Sequence, residues 1–173
     1  MKHGIDDFNA LPLEDAVGEL MKCCGSSKWA RAVADARPFV DLDELLITAD
    51  HLWWGLEPAD WLEAFSHHPQ IGEQKSERPP AAEASRWSAE EQSGTRGAAA
   101  ETRAALAAAN RAYLNKFGHI FIVCATGKSS NEMLALLEQR LPNDPAAELR
   151  IAAEEQRRIT HLRLHKLLAS LES

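Results

Sequence analysis

Three observations predict an all-α fold. Apolar residues recur at helical spacing along most of the chain, and glycine, proline and serine or aspartate punctuate those runs at short intervals. A single stretch has strand-like composition, with no second stretch to pair with it. The expectation is one compact domain over residues 1–173, with about eight helices and one extended apolar segment near 119–125.

Residues 1–10 show no clear pattern and read as a loosely held lead-in. Pro12 suits a first helical turn, and Leu13, Ala16, Val17, Leu20 and Met21 follow at helical spacing until Gly25 offers a stop. Ser26 or Ser27 can cap a second helix carrying Trp29, Ala30, Val33 and Ala34, which must end before Pro38. Asp41 or Asp43 can cap a third, with Leu45, Leu46, Ala49, Leu52 and Trp53 on one face and Gly55 closing it. Glu57-Pro58 opens a fourth, which delivers the chain to Ser66-His67-His68-Pro69-Gln70-Ile71-Gly72.

Residues 73–86 have almost no large apolar side chain and two consecutive prolines, and read as an exposed connection. Ser88 and Glu91 have capping-box spacing, so a helix is expected to start at Ser88, with Gly94 and Gly97 as interruptions. Ala98 to Lys116 is rich in strong helix formers, and Gly118 ends that run. His119 to Ala125 is β-branched and aromatic and reads by propensity as a short buried strand without a partner. Thr126-Gly127-Lys128-Ser129 is not a phosphate-binding loop, because that pattern needs glycine where Ile122 stands. Ser129 or Ser130 caps a helix through Met133, Leu134, Leu136 and Leu137, and Asp144-Pro145 opens a long final one.

A net charge of -7 and a pI near 5.5 exclude a diffuse grip on nucleic acid. Cys23 and Cys24 are adjacent and Cys124 is remote, which makes neither a C-x-x-C pair nor a secreted disulfide framework. The start has no apolar signal-like region, and the longest apolar run, Ile120 to Ala125, is too short for a bilayer. A soluble, cytoplasmic protein without membrane partners is expected.

Four features could carry chemistry. The residue before a proline is pushed out of the helical region, so His68 leaves its helix with a ring that can exchange a proton near neutral pH. The bland alternative is a polar helix terminus. Glu91 and Gln92, with Ser88, could hold a polar ligand at a helix start, although a capping role alone would account for Glu91. An extended 119–125 segment would leave backbone amides and carbonyls for a planar, amide-rich ligand, or for water and side chains. Arg163, between Leu162 and Leu164, could bind a carboxylate through two parallel bonds, or lie on the surface. No histidine spacing matches a metal motif.

Together these stretches resemble the 2-oxo-4-hydroxy-4-carboxy-5-ureidoimidazoline (OHCU) decarboxylases of purine catabolism. The matching positions are Asn9, Cys23-Cys24-Gly25-Ser26, Trp29, Arg37-Pro38-Phe39, His68 to Gly72, Ser88 to Gln92, Asn110 to Gly118, Phe121 to Gly127 and Ile159 to Leu164. The resemblance implies an all-helical homodimer that converts OHCU, the product of 5-hydroxyisourate hydrolysis, to (S)-allantoin with no cofactor and no metal. It implies that His68 and Glu91 are catalytic. The substrate-binding positions it implies are Pro69, Ser88, Ala89, Glu90, Glu91, Gln92, Phe121, Ile122, Val123, Cys124, Ala125 and Arg163. The C-terminus lacks a Ser-Lys-Leu type address, which again favours the cytoplasm. The competing readings are a metal-dependent hydrolase using His67 or His68, and a non-enzymatic helical interaction module using exposed tryptophans.

Overall fold

The structure, a computed structural model, describes residues 2–71, 82–95 and 99–172. Gly72, residues 73–81 and Gly97, on which some sequence expectations fall, lie outside the described residues. Nine α-helices are present among the described residues: α1 Lys2–Ala10, α2 Leu13–Cys23, α3 Ser27–Asp35, α4 Leu42–Trp54, α5 Pro58–Ser66, α6 Ala82–Glu91, α7 Ala100–Phe117, α8 Ser130–Arg140 and α9 Pro145–Leu171, with a 3-10 turn at Ser93–Thr95. No strand occurs among them, so the all-α expectation holds.

Most helix ends follow from local chemistry. Ser26 Oγ accepts from Trp29 N at the start of α3, and Asp41 Oδ1 accepts from Glu44 N at the start of α4. Ser129 and Glu132 form a reciprocal capping box at α8, and Asp144 Oδ2 accepts from Ala146 N and Ala147 N at α9. Each such cap contributes on the order of 1 kcal/mol. Gly118 closes α7 at φ 75°, a left-handed conformation that a side chain would oppose.

The helices belong to two compact units, one formed by residues 1–64 with 157–173, the other by residues 65–156. In the first, α2 packs on α3 and α3 on α4. The expectation of a loose lead-in at residues 1–10 is overturned, because α1 buries Ile5 and Phe8 completely. Phe8 stacks on Phe39 at 6.5 Å, and Asn9 exchanges two hydrogen bonds with the Phe39 backbone. The Arg37 guanidinium donates to the Phe8 and Leu11 carbonyls, satisfying acceptors that the end of a helix leaves open. Gly4 permits this docking, since a Cβ there would meet Leu168 O at 2.3 Å. The signal is short and its anchors are remote in sequence, so periodicity alone misses it.

In the second unit α7 packs on α8, and Ile71, Leu106, Tyr113, Phe121, Val123, Ala125, Met133 and Leu137 form one apolar cluster. Two expectations are corrected here. Ser88 does not start a helix: α6 already begins at Ala82, so Ser88 and Glu91 lie in its last turns and the capping box is absent. Ala82 to Arg86 are adequate helix formers with no intervening breaker, and Ala84, Trp87, Ser88 and Glu91 fall on one buried face. The end of the supposed 73–86 connection is therefore helical. The 119–125 run, secondly, is no strand, because no partner strand exists among the described residues.

A buried ionic cluster supports that run instead. Glu148 is 0% exposed and accepts from Arg140 Nε at 2.7 Å, from Asn143 Nδ2 at 2.9 Å and from the Tyr113 hydroxyl. Burial, reinforced by the Glu148 contact, pushes the Tyr113 hydroxyl far above its ordinary range and keeps it a donor. Arg140 also donates to the Ile122 carbonyl at 2.8 Å and lies 4.5 Å over the Phe121 ring.

Candidate active site

The second unit brings together His68, the end of α6 and the 120–125 segment. α5 stops at Ser66, and His68 N donates to Phe65 O at 3.1 Å. Three residues on, the Ile71 carbonyl accepts from the buried Asn110 Nδ2 at 3.0 Å. The His68-Pro69-Gln70-Ile71 turn is thus fixed at both ends. The half-buried His68 ring places Nε2 2.7 Å from Oε1 of Gln156, a residue that is itself 0% exposed.

Of the four expected positions on α6, Ser88 and Glu91 are buried, whereas Ala89 and Glu90 face outward; Gln92, just past its end, is half-buried. With Ser88 inside the helix, the reading of free amides at a helix start does not apply to it. What the helix offers here is its C-terminal end and the Glu91 carboxylate. Gly94, just beyond, lies so close to the 126–129 turn that a Cβ would meet Lys128 O at 2.1 Å. This contact draws the end of α6 to the end of the apolar segment. Glu91 is near enough to Cys124 to help raise its thiol, although burial is the main cause and Glu155 acts in the same sense.

The apolar segment is half held. Ile120 O accepts from His119 Nδ1, Ile122 O from Arg140 and Cys124 O from Lys128 Nζ, while Cys124 N donates to Glu155 Oε2 at 2.7 Å. Among the described residues the Phe121 and Val123 backbones have no such bonds. Neighbouring residues of an extended chain turn their peptide groups to opposite edges, so side chains cover the even edge and leave the odd one. The sequence expectation of unladdered backbone groups is met for half of the run.

Arg163 lies in the other unit, where it is 4% exposed and donates to Lys22 O at 3.3 Å beside Cys23. It is not the surface residue that one reading allowed. Arg157 pairs with Asp50 at 2.8 Å and Arg158 is exposed. Both thiols of the Cys23-Cys24 pair are fully buried, and burial pushes Cys24 up to about 12. Among the described residues, no group of three or more His, Cys, Asp and Glu is placed to hold a metal ion, and no helix is long and apolar enough to cross a membrane.

Comparison with known proteins decides the family. Its sequence profile, described as OHCU decarboxylase, matches residues 9–165. The chain belongs to the OHCU decarboxylase family. An Arabidopsis thaliana relative, uric acid degradation bifunctional protein TTL, is 39% identical over 160 residues, which are 92% of this chain and 49% of that protein. A 2-oxo-4-hydroxy-4-carboxy-5-ureidoimidazoline decarboxylase of Amia calva is 39% identical over 59 residues, 34% of each chain. The chain therefore matches about half the length of the first relative and less of the second. A crystal structure of OHCU decarboxylase in the presence of (S)-allantoin superposes with a TM-score of 0.75 at 40% identity, covering 88% of this chain and 98% of that one. An (S)-allantoin synthase crystal structure shares the fold at 16% identity and a TM-score of 0.70, covering 94% and 53%.

Glu155 and Gln156 at this candidate site were not singled out from sequence, and Asn110 entered only as the first position of a stretch matching the OHCU decarboxylase family. Asn110, Glu155 and Gln156 hold, respectively, the Ile71 carbonyl, the Cys124 amide and the His68 ring. One signal was present. Gln156 sits in register with Ala152, Ala153, Ile159, Thr160 and Arg163, a stripe at helical spacing that is buried throughout.

Proposed function

We propose that this chain decarboxylates OHCU to (S)-allantoin in urate degradation, as one domain of its family, with His68 as the acid/base. The observation that carries the reading is the convergence of a positioned imidazole, a buried carboxylate and a half-held backbone edge in the second unit. Those are the groups that a small, amide-rich, hydroxylated acid needs. Pro69 shapes the turn beneath the ring. Gln92 and the Phe121, Val123 and Ala125 backbone grip ureido and ring amides, with Ile122 and Cys124 serving through their fixed positions, because Arg140 takes the Ile122 carbonyl, Glu155 the Cys124 amide and Lys128 the Cys124 carbonyl. The family resemblance supports a role for Arg163 toward a carboxylate or carbonyl oxygen.

Loss of CO2 breaks a C–C bond whose electron pair stays on the substrate, delocalised into the neighbouring imine or carbonyl, whose heteroatom takes a proton from solvent. The resulting enol passes its hydroxyl proton to His68, and the imidazolium returns a proton to the carbon on one face. The ring leaves as it entered, and the face of protonation fixes the (S) configuration. Glu91 orients the substrate hydroxyl for this exchange. Positioned acid–base catalysis of this kind contributes about 10²–10⁴-fold.

The same reading includes a cytoplasmic homodimer that uses no cofactor. Light scattering on the purified chain checks the dimer. For the activity, uricase and hydroxyisourate hydrolase generate the labile substrate from urate in situ, and circular dichroism follows the allantoin formed, with and without EDTA. Fast, chelator-insensitive appearance of the (S) enantiomer is expected. A chelator-sensitive rate would favour the metal-dependent hydrolase reading. A slow racemic background, unchanged by the protein, would overturn the proposal and return the helical interaction module to consideration.

A further inference from the structure

We propose that Gln156 is a positioning residue that holds His68 as the Nε2–H tautomer and so assigns proton exchange with the substrate to Nδ1. The inference deepens the decarboxylase reading and rests on His68 being the acid/base. Its basis is the 2.7 Å contact between His68 Nε2 and Gln156 Oε1. An amide carbonyl oxygen can only accept, so Nε2 must carry the hydrogen, and in neutral imidazole the lone pair then belongs to Nδ1. Gln156 is wholly buried on α9, where a primary amide is tolerated only with its polar atoms engaged. Its orientation is therefore not free to follow the ring; the ring follows it. The backbone side of His68 is fixed independently by the bond to Phe65 O.

The chemical class of this partner matters. A carboxylate in the same place would also hold Nε2–H, but it would favour the imidazolium and weaken it as the acid that must return the proton. A neutral amide selects the tautomer without charging the ring, which suits a group that must first take a proton and then return it. The next residue back, Glu155, is a carboxylate, but it is directed to the Cys124 amide. The chain thus presents an acid to a backbone donor and an amide to the imidazole from adjacent positions.

Long-range proton–nitrogen correlation spectra of ¹⁵N-histidine-labelled protein test this directly, with the His68 signals identified by their absence in His68→Gln. The wild-type ring is expected to show the Nε2–H pattern at neutral pH. Gln156→Leu should lose that pattern and lower kcat roughly 10²-fold with KM little changed, the signature of a misaligned reacting group. Gln156→Glu should keep Nε2–H while raising the imidazolium fraction. An Nδ1–H pattern in the wild type would overturn the proposal, and so would a Gln156→Leu protein that keeps both tautomer and kcat. Because the wild-type spectrum needs no variant to fold, it decides the tautomer alone. Absence of wild-type turnover would remove the decarboxylase reading, and the spectrum would still report the tautomer.

Discussion

His68 and His119 belong to the same unit and share a neighbour: Phe65 accepts from the backbone of one through its carbonyl and packs its ring 5.3 Å from that of the other. They are otherwise opposites. The His68 ring is half-buried and meets a buried amide. His119 is buried against the rings of Phe65, Tyr113 and Phe117, its Nδ1–H donates to Ile120 O, and its Nε2 has no partner among the described residues. Burial lowers the His119 pKa, so that ring stays neutral and behaves as a shaped apolar plug. Being a histidine in the right region is thus no guide to chemistry. The partner at the second nitrogen separates the two.

The contrast is sharpest if both rings are replaced by the same residue. His68→Asn should cost about 10²–10⁴-fold in turnover and little stability, whereas His119→Asn should leave turnover near wild type. Parallel allantoin assays and urea melts check both, and comparable activity losses would erase the distinction. The next largest effect is expected behind His119. Arg140→Met strips the buried Glu148 of its cation and frees Ile122 O, which should cost about 3–5 kcal/mol of unfolding free energy. Asn110→Leu should cost about 1–3 kcal/mol by leaving the Ile71 carbonyl unmatched. It should also lower turnover more than His119→Asn does, because it loosens the turn that carries His68.

The smallest effect is a pH slope. The folded pKa of His119 lies below the ordinary 6.5, so between those values the unfolded chain binds the extra proton. The wild-type protein should therefore be most stable above that window and lose stability as pH falls through it. His119→Asn should flatten this part of the profile in melts run from pH 7.5 downward. A slope unchanged by the substitution would mean that other groups set it.

Much of this was legible in the residues themselves. Ser26, Asp41, Ser129, Asp144 and Gly118 mark helix ends through bonds within a few positions, and Pro58 through its fixed φ, and such local effects are what a linear pattern encodes. His68 was readable for the same reason, since Pro69 acts on its immediate neighbour. α1 was not, because its anchors Arg37, Phe39 and Leu168 are distant in sequence. Ser88 and Glu91 misled through a locally valid cap pattern that an upstream helix overrode. The 119–125 run had strand propensity but no ladder, and side chains from α8 and α9 took the ladder's place. Gln156 was hidden in the polar run Glu154 to Arg158, where a solvated face is the ordinary meaning.

Glu155 and Gln156 are consecutive, so their side chains leave α9 roughly 100° apart and only about 1.5 Å apart along its axis. One reaches the Cys124 amide and the other the His68 ring. The separation of these two points is therefore gauged on a single rigid rod rather than measured along the chain that links them.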